Sequence, residues 1–410
     1  MGTITDKLNK LAETKSAIKT AIVNKGVAVS DSDTFASYAS KIASISGAED
    51  TYGFSDIGYP AVPNKITEGI AKAKKIYDNI DLTASTWKNA FRNVPHDIYD
   101  SSDGFRYYTG AYFPYIEVPD DSELAKGESE FPNMKSTNIE IFNMKCKNLT
   151  ISSQPFNGSY YLTEFRLDGN LKFSNGKYAS TFSDQRLSKF EVTGTFDISG
   201  AELSHFFGSA ICDINTTFVG VPSKISYTFN NMGEGNMYYP NIPSMDLTGL
   251  TSADYYTYQC YLSRVGEIKT NTLTSINNLF YNSNIYRIDC IYADSVTESI
   301  NFTLPIGCYY MLIKNIGMQE SCTIINLSSN GRSWGSSNPP SISYKCVDRQ
   351  KILDAVVGAR QSVIDTLITY SYDRATAGYS ACSVKLHANT KALLTQDEIA
   401  QMTAKGYTLA

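Results

Sequence analysis

Apolar residues near the amino terminus recur at alternating spacings of four and three, a pattern typical of one face of a helix. Lys15 is the one polar residue on this seam. Gly26, which follows, is a residue that commonly ends a helix in the left-handed conformation. The pattern therefore predicts a helix with a short heptad seam, and the predicted assembly residues on it are Ile4, Leu8, Leu11, Ile18 and Ile22.

A second amphipathic helix is predicted after the acidic helix start at 30–33. Isolated helices of this length are marginal in water, so both apolar faces need a partner. We expect the two helices to form an ordinary hairpin, or to pack on another copy or another protein as an assembly module. The apolar face of the second helix comprises Phe35, Tyr38, Ala39, Ile42 and Ile45.

Residues 48–133 have a mixed pattern and are predicted to form an aromatic-rich connector. Helices are predicted over 65–79 and 86–93, and an aromatic run follows over 105–115. Interleaved aromatic residues favour core and sheet packing over a platform for stacking bases or sugars.

An internal repeat dominates the middle of the chain. Each unit has apolar residues at its first, fourth and sixth positions, as in Leu162, Phe165 and Leu167. Looser copies place Thr216, Pro240 and Glu267 at such positions. The units begin at 162, 187, 211, 237, 262, 285 and 308, so the spacings are 25, 24, 26, 25, 23 and 23. A coil of this length cannot bury its apolar side alone, which predicts a solenoid of stacked coils over about 134–345.

The third and fifth residues of each unit are predicted to point out of the strand face. A solvated face with ion pairs between coils, a binding face, or a catalytic pair formed by Glu191 and Asp213 all fit this pattern. The candidate binding residues are Glu164, Arg166, Lys189, Glu191, Asp213, Asn215, Tyr239, Asn241, Arg264, Arg287, Asp289 and Tyr310.

The carboxyl-terminal segment is predicted to cover the end of the repeat body. Apolar residues at helical spacing predict a long amphipathic helix over 348–370. A strand is predicted over 383–386, and a capping box from Thr395 to Glu398 predicts a last helix that ends at Gly406.

Composition narrows the function classes. The net charge of −5 gives no basic excess for binding nucleic acid, and no apolar run is long enough to cross a membrane. The start of the sequence lacks the pattern of a secretory signal, and the eight scattered cysteines favour buried thiols made in a reducing cytoplasm.

Little in the sequence points to catalysis. The three histidines, His96, His205 and His387, are far apart, and His205 lies among apolar repeat residues, which is typical of a core position. The common hydrolase, zinc and nucleotide motifs do not occur. We therefore predict no catalytic residue, no cofactor and no metal.

Three segments resemble known families. The motif over 162–170 (LTEFRLDGN) resembles the leucine-rich repeat, and the aromatic-rich copies resemble its bacterial surface, BspA-type variety. The amino-terminal segment over 6–42 is similar to the start of tail and fibre proteins of gut bacteriophages. The segment over 385–400 resembles the terminal cap of repeat proteins from the same phages, including crAss-like ones. These resemblances imply a virion component with a repeat body.

The expected fold class is thus α+β, with a helical module over 1–47, the connector over 48–133, an irregular leucine-rich-repeat solenoid over 134–345 and a helical and strand cap over 346–410. The expected function is that of a non-enzymatic virion protein, a fibre or fibre-associated component made in the host cytoplasm. Expected partners are other virion proteins through the amino-terminal helices, sister copies (a trimer among the options) and a host surface glycan or protein, without nucleic acid or membrane. A bacterial surface adhesin and a glycan-degrading tail spike are the alternatives.

Overall fold

The fold is described from a computed structural model. The chain divides into two compact units, 1–63 and 64–410, and each is described by itself. The residues that the structure describes are 4–24, 28–30, 32–34, 37–38, 41, 97–100, 105–108, 112–128, 130–131, 141–151, 156, 162–173, 181–183, 187–235, 237–253, 255–328, 330–336 and 340–410.

In the first unit, a helix spans Ile4–Asn24 (α1). Of the predicted assembly residues, Ile22 is buried, Ile18 is half-buried and Leu11 is exposed, whereas the side chains of Ile4 and Leu8 lie outside the described part. Tyr38 is buried. The rest of the second predicted apolar face, and the helices predicted over 65–79 and 86–93, fall outside the described residues.

The second unit consists mainly of short strands. Its helices, within the described residues, are α2 (Glu123–Lys126), α3 (Arg349–Ala355), α4 (Ala359–Ile364), α5 (Ala388–Lys391) and α6 (Gln396–Ala404). The strands are β1 (Asp97–Asp100), β2 (Phe105–Tyr108), β3 (Tyr112–Glu117), β4 (Glu130–Phe131), β5 (Ile141–Ile151), β6 (Glu164–Phe173), β7 (Lys189–Asp197), β8 (Glu202–Ser204), β9 (Phe207–Gly208), β10 (Ile214–Val219), β11 (Lys224–Ser226), β12 (Phe229–Asn230), β13 (Asn241–Ile242), β14 (Met245–Asp246), β15 (Thr257–Tyr258), β16 (Tyr261–Lys269), β17 (Asn284–Tyr292), β18 (Ile300–Asn301), β19 (Tyr310–Lys314), β20 (Ile324–Asn326), β21 (Cys382–Lys385) and β22 (Tyr407–Leu409).

Two parallel sheets carry most of the strand residues. The first sheet has the order β10-β7-β6-β5-β3, with β4 also paired to β5. The second has the order β13-β16-β17-β19, with β14 also paired to β16. Smaller parallel sheets are formed by β8 with β11, by β9 with β12 and β15, and by β18, β20, β21 and β22, while β1 and β2 are antiparallel.

Strand pairing in the first sheet joins residues about two dozen positions apart. Phe142 pairs with Phe165, Phe165 with Phe190, and Phe190 with Ile214, which are offsets of 23, 25 and 24. All four side chains are buried. The first two phenylalanine pairs stack with ring centroids 4.9 and 5.2 Å apart. The apolar residue that recurs in sequence thus becomes a column of rings inside the sheet.

The expected fold class is wrong. Of the described residues, 33% lie in strands and 19% in helices, and the parallel strands among them form five small sheets rather than a continuous solenoid. The helical module expected over 1–47 is not shown, because the structure describes α1 and only a few residues beyond it. The sheets are small because many strands have only two or three residues, and because prolines interrupt the chain between the two largest sheets.

The prediction of one long helix over 348–370 is also wrong. Gly358 adopts the left-handed conformation (φ 78°) and separates α3 from α4, and a π-helical turn, Asp365–Thr369, follows α4. The capping box at Thr395 and Glu398 is confirmed. Strands β21 and β22 extend the sheet that contains β18 and β20, so the carboxyl-terminal segment is hydrogen-bonded into the body.

Candidate functional site: a polar cleft between two parallel sheets

The predicted outward residues of the first sheet form two rows across neighbouring strands. Glu164 pairs with Lys189 in one row, and Arg166, Glu191 and Asn215 are aligned in the other. Most of their charge is neutralised locally. Glu164 is buried, with 6% of its side chain exposed, so the prediction that it points outward is wrong; it lies 2.5 Å from Arg166. Lys189 lies 3.2 Å from Glu191. This part of the face is therefore a row of paired charges.

The second sheet continues the pattern with different side chains. Asn241, Arg264, Arg287 and Tyr310 are aligned in one row. Asp289 accepts from both arginines at 2.6–2.7 Å. The Arg287 guanidinium also lies 3.6 Å from the ring centroid of Tyr310, a cation–π arrangement. Arg264 keeps 55% of its side chain exposed, so it can still reach a ligand.

The carboxyl-terminal segment covers part of this second face. The backbone carbonyl of Lys351 accepts from Ser263 Oγ at 3.2 Å, and that of Val357 accepts from Arg287 at 3.2 Å. Lys351 Nζ forms an ion pair with Asp213 at 2.5 Å. A small second core lies between α3 and the sheet, and it contains Tyr239, Tyr286, Cys346, Ile352 and Ala355.

Tyr239 is consequently buried instead of facing solvent. Its unit is displaced relative to the sequence repeat, because Asn241 rather than Tyr239 stands beside Arg264. Burial raises the pKa of the Tyr239 and Tyr286 hydroxyls, which keeps both phenols neutral. In the next unit the buried residue is Ile268, and Glu267 is exposed.

A cleft opens where the two large sheets meet. Strand β10 is the last strand of the first sheet, and β13 is the first strand of the second. Pro240 and Pro243 flank β13, and proline has no N–H with which to continue a ladder. The backbone N–H of Asn241 instead donates to the Asp213 carboxylate at 2.7 Å. A side chain thus replaces strand pairing at this junction.

The cleft is open to solvent and has a volume of about 430 Å³. Within the described part of the chain, two buried atoms that belong to its lining, Asn241 Oδ1 and Thr216 Oγ1, have no hydrogen-bond partner. Buried polar atoms without partners are uncommon, which makes this lining suited to a polar ligand. The cleft brings together four predicted residues, Asn215, Asn241, Arg264 and Asp289, with Thr217 and Ser244.

The carboxylate pair considered for glycan cleavage is engaged elsewhere. Asp213 is held by Lys351 and by the Asn241 N–H, and Glu191 is held by Lys189. Among the described residues, no cluster of three or more histidine, cysteine or acidic side chains could hold a metal ion. The eight cysteines are free thiols, and all except Cys212 are buried.

A second surface was not anticipated from the sequence. Five aromatic residues with exposed or half-buried side chains lie next to one another, and we call them the aromatic ribbon: His205, Tyr227, Tyr255, Tyr258 and Tyr281. The expectation that His205 belongs to the core is wrong, because its side chain is exposed. The recurrence of an aromatic residue two positions before each of Phe207, Phe229 and Thr257 could have revealed the ribbon.

No family model, curated protein or solved structure matches this chain. The likeness to phage proteins and leucine-rich repeats therefore stays a prediction from the sequence. Within the described ranges, no helix is both long and apolar enough to cross a membrane.

Proposed function

We propose that this chain is a non-enzymatic structural protein of a virion, which binds a host surface glycan or protein through the polar cleft between β10 and β13. The single observation that supports it best is the cleft itself, with its unpartnered Asn241 and Thr216 atoms beside the exposed guanidinium of Arg264. Its amide, hydroxyl and guanidinium groups are the donors and acceptors that a hydroxyl-rich or peptide ligand requires.

The chemistry of the cleft favours binding over bond cleavage. A glycosidase needs two carboxyl groups at a fixed separation on either side of the scissile bond. In the cleft, Asp289 is held by two arginines, and nearby Asp213 is held by Lys351. We propose that a single cleft binds weakly and that many copies on one particle supply the avidity.

Adhesion is tested by filling the cleft. Asn215 is an exposed lining residue, so Asn215→Trp would occupy the cleft without disturbing the core. With labelled protein and a panel of gut bacteria, flow cytometry should show adhesion about tenfold weaker, the loss expected when a ligand's main contacts are blocked. The matched control is Asn271→Trp, the same substitution at an exposed asparagine outside the lining. Unchanged adhesion by a folded Asn215→Trp protein would refute the cleft as the binding site.

Membership of a particle is tested by truncation. We propose that the amino-terminal segment, in which α1 leaves Leu11 52% exposed, makes the contact with other virion proteins. A chain that lacks residues 1–47 should fail to enter particles, while the full chain should be detected on them by immunogold labelling. Leu11→Ala, which removes most of one exposed side chain, should reduce incorporation less. Normal incorporation of the truncated chain would contradict the assigned attachment.

A further inference from the structure

Two buried thiols lie side by side in the sheet formed by β18, β20, β21 and β22. Cys382 is the first residue of β21, Cys322 lies two residues before β20, and both are fully inaccessible to solvent. The two strands are parallel, with Ile324 opposite Ser383, and the Ser383 N–H donates to the Thr323 carbonyl at 2.9 Å. This pairing brings the two cysteines together, and their thiol groups are hydrogen-bonded to each other.

A buried arginine fixes the backbone on both sides of this pair. Arg374 is fully inaccessible, and its guanidinium donates to the Glu320 carbonyl at 3.2 Å, in the turn that precedes Cys322. The guanidinium also donates to the Ser380 carbonyl at 3.0 Å, two residues before Cys382. One side chain therefore joins the two segments from which the cysteines extend, and it holds the thiols in place relative to each other.

The surroundings make Cys322 the more acidic of the two thiols. The hydrogen bond from Cys382 and the positive charge of Arg374 lower the pKa of Cys322 in spite of its burial. The same hydrogen bond, together with burial, raises the pKa of Cys382. A thiolate in contact with a second thiol is the arrangement from which a disulfide forms by exchange. Cys308 differs, because burial alone raises its pKa to about 12.

We propose that Cys322 and Cys382 form a disulfide when the chain meets a low-molecular-weight disulfide such as glutathione disulfide. The Cys322 thiolate attacks one sulfur atom of this oxidant, the sulfur–sulfur bond breaks, and one glutathione thiolate leaves. Cys382 then gives up its proton and attacks the Cys322 sulfur, and the second glutathione thiolate leaves. Two cysteine thiols are oxidised, and the oxidant is reduced to two molecules of glutathione, which take up the two cysteine protons.

Both thiols lie close to the surface although they are buried. The exposed residue Ser321 precedes Cys322, and the exposed residue Ala381 precedes Cys382. Strand β22, which pairs with the start of β21 beside Cys382, has three residues and lies at the edge of its sheet. Short strands at an edge open locally at a lower free energy than the core of a fold. The oxidant reaches the pair through such an opening.

The disulfide would close a long loop of the chain. The two cysteines are 60 positions apart, and α3 and α4 lie between them, including the segment that packs over the second sheet. A cross-link across a loop of this length stabilises the fold by restricting the unfolded chain. We therefore expect the carboxyl-terminal segment to be more stable in oxidising than in reducing surroundings, whatever ligand the cleft binds.

The test is to incubate the full chain with glutathione disulfide and to count its free thiols after denaturation. The reduced chain has eight free thiols, and we expect two fewer after oxidation, with one linked peptide containing Cys322 and Cys382 in a map made without reductant. The oxidised chain should melt about 5 °C above the reduced chain. Cys322→Ala and Cys382→Ala should each abolish this shift. Cys308→Ala, the same substitution at another buried thiol, is the matched control and should keep it.

A second arm refolds the reduced, denatured chain in the same buffer, so that slow opening of the folded chain cannot hide the reaction. The proposal is overturned if neither arm yields the linked peptide, if other cysteines are linked instead, or if the linked chain melts no higher than the reduced one. It is also overturned if glutathione stays attached to Cys322, because Cys382 then does not displace it. The peptide map of the parent chain decides the question even if the alanine variants do not fold.

Discussion

The outer faces of the two large sheets both carry polar side chains of the repeat units but have different environments. On the first sheet, Arg166, Glu191 and Asn215 remain at least partly exposed to solvent. On the second sheet, α3 and the turn after it lie over the strands, and Tyr286 becomes part of a small core. Whether the outer side of a sheet faces solvent therefore depends on what lies over it. A segment more than sixty positions away along the chain decides it.

The difference follows from side-chain chemistry. The second sheet offers Tyr286 and Tyr309 on its outer side, large rings that need cover, together with Ser263, whose hydroxyl meets the Lys351 carbonyl. The first sheet offers charged side chains that can stay hydrated and need no cover, such as Lys189 and Glu191. The polar cleft lies at the boundary between the covered face and the open one. In its lining, Asn215 belongs to the open face and Arg264 belongs to the covered face.

The difference between the two faces is tested most directly by removing an apolar contact that holds α3 on the second sheet. Ile352 is fully buried in the second core, so Ile352→Ala should lower the free energy of unfolding by about 3 kcal/mol, through lost burial and the cavity left behind. Urea unfolding monitored by tyrosine fluorescence measures this loss. Hydrogen exchange should increase first in α3 and then in the backbone amides of β17.

The matched control is Leu353→Ala, the next residue along α3, whose side chain is 37% exposed. We expect its cost to be about 1 kcal/mol or less, because little buried surface is lost. Equal costs for the two variants would mean that the cover is only loosely attached, and the contrast between the two faces would then disappear.

The sequence predicts the local part of this architecture well. The recurrence of Phe165 and Phe190 gives the strand-pairing offset, because an apolar residue that repeats along parallel strands stacks on its copies. The capping box at Thr395 is likewise a local signal, since it depends on residues only three positions apart. Both features are set by neighbours in sequence or in register.

What the sequence leaves open depends on contacts between distant segments. Pro240 and Pro243 interrupt strand pairing on either side of β13, so that β13 forms one wall of the cleft. The pattern of apolar positions in the sequence continues through these prolines and gives no sign of the interruption. The left-handed turn at His205 puts an exposed ring where the flanking phenylalanines favour a core position. The packing of α3 on β16 and β17 cannot be predicted from either segment alone. Each of them has the pattern of an ordinary amphipathic helix or strand, and neither pattern specifies its partner.

A smaller effect, the loss of stability at high pH, tests whether the second face is covered. Burial raises the pKa of the Tyr286 hydroxyl above its ordinary value of 10.0, and Tyr239 and Cys346, which face it, raise it further. The folded protein then keeps this proton at a pH where the unfolded chain loses it, so stability falls as the pH rises above 10. Tyr286→Phe removes the group and should therefore lose less stability than the parent between about pH 9 and 11, by about 1 kcal/mol.

This difference is measured by urea unfolding at both pH values, so that the cost of the lost hydroxyl at neutral pH cancels. Tyr344→Phe serves as the control, because its side chain is 85% exposed and should follow the parent at both pH values. If Tyr286→Phe also followed the parent, the phenol would already reach water in the folded state. The second face would then be as open to solvent as the first, and α3 would be only loosely packed on it.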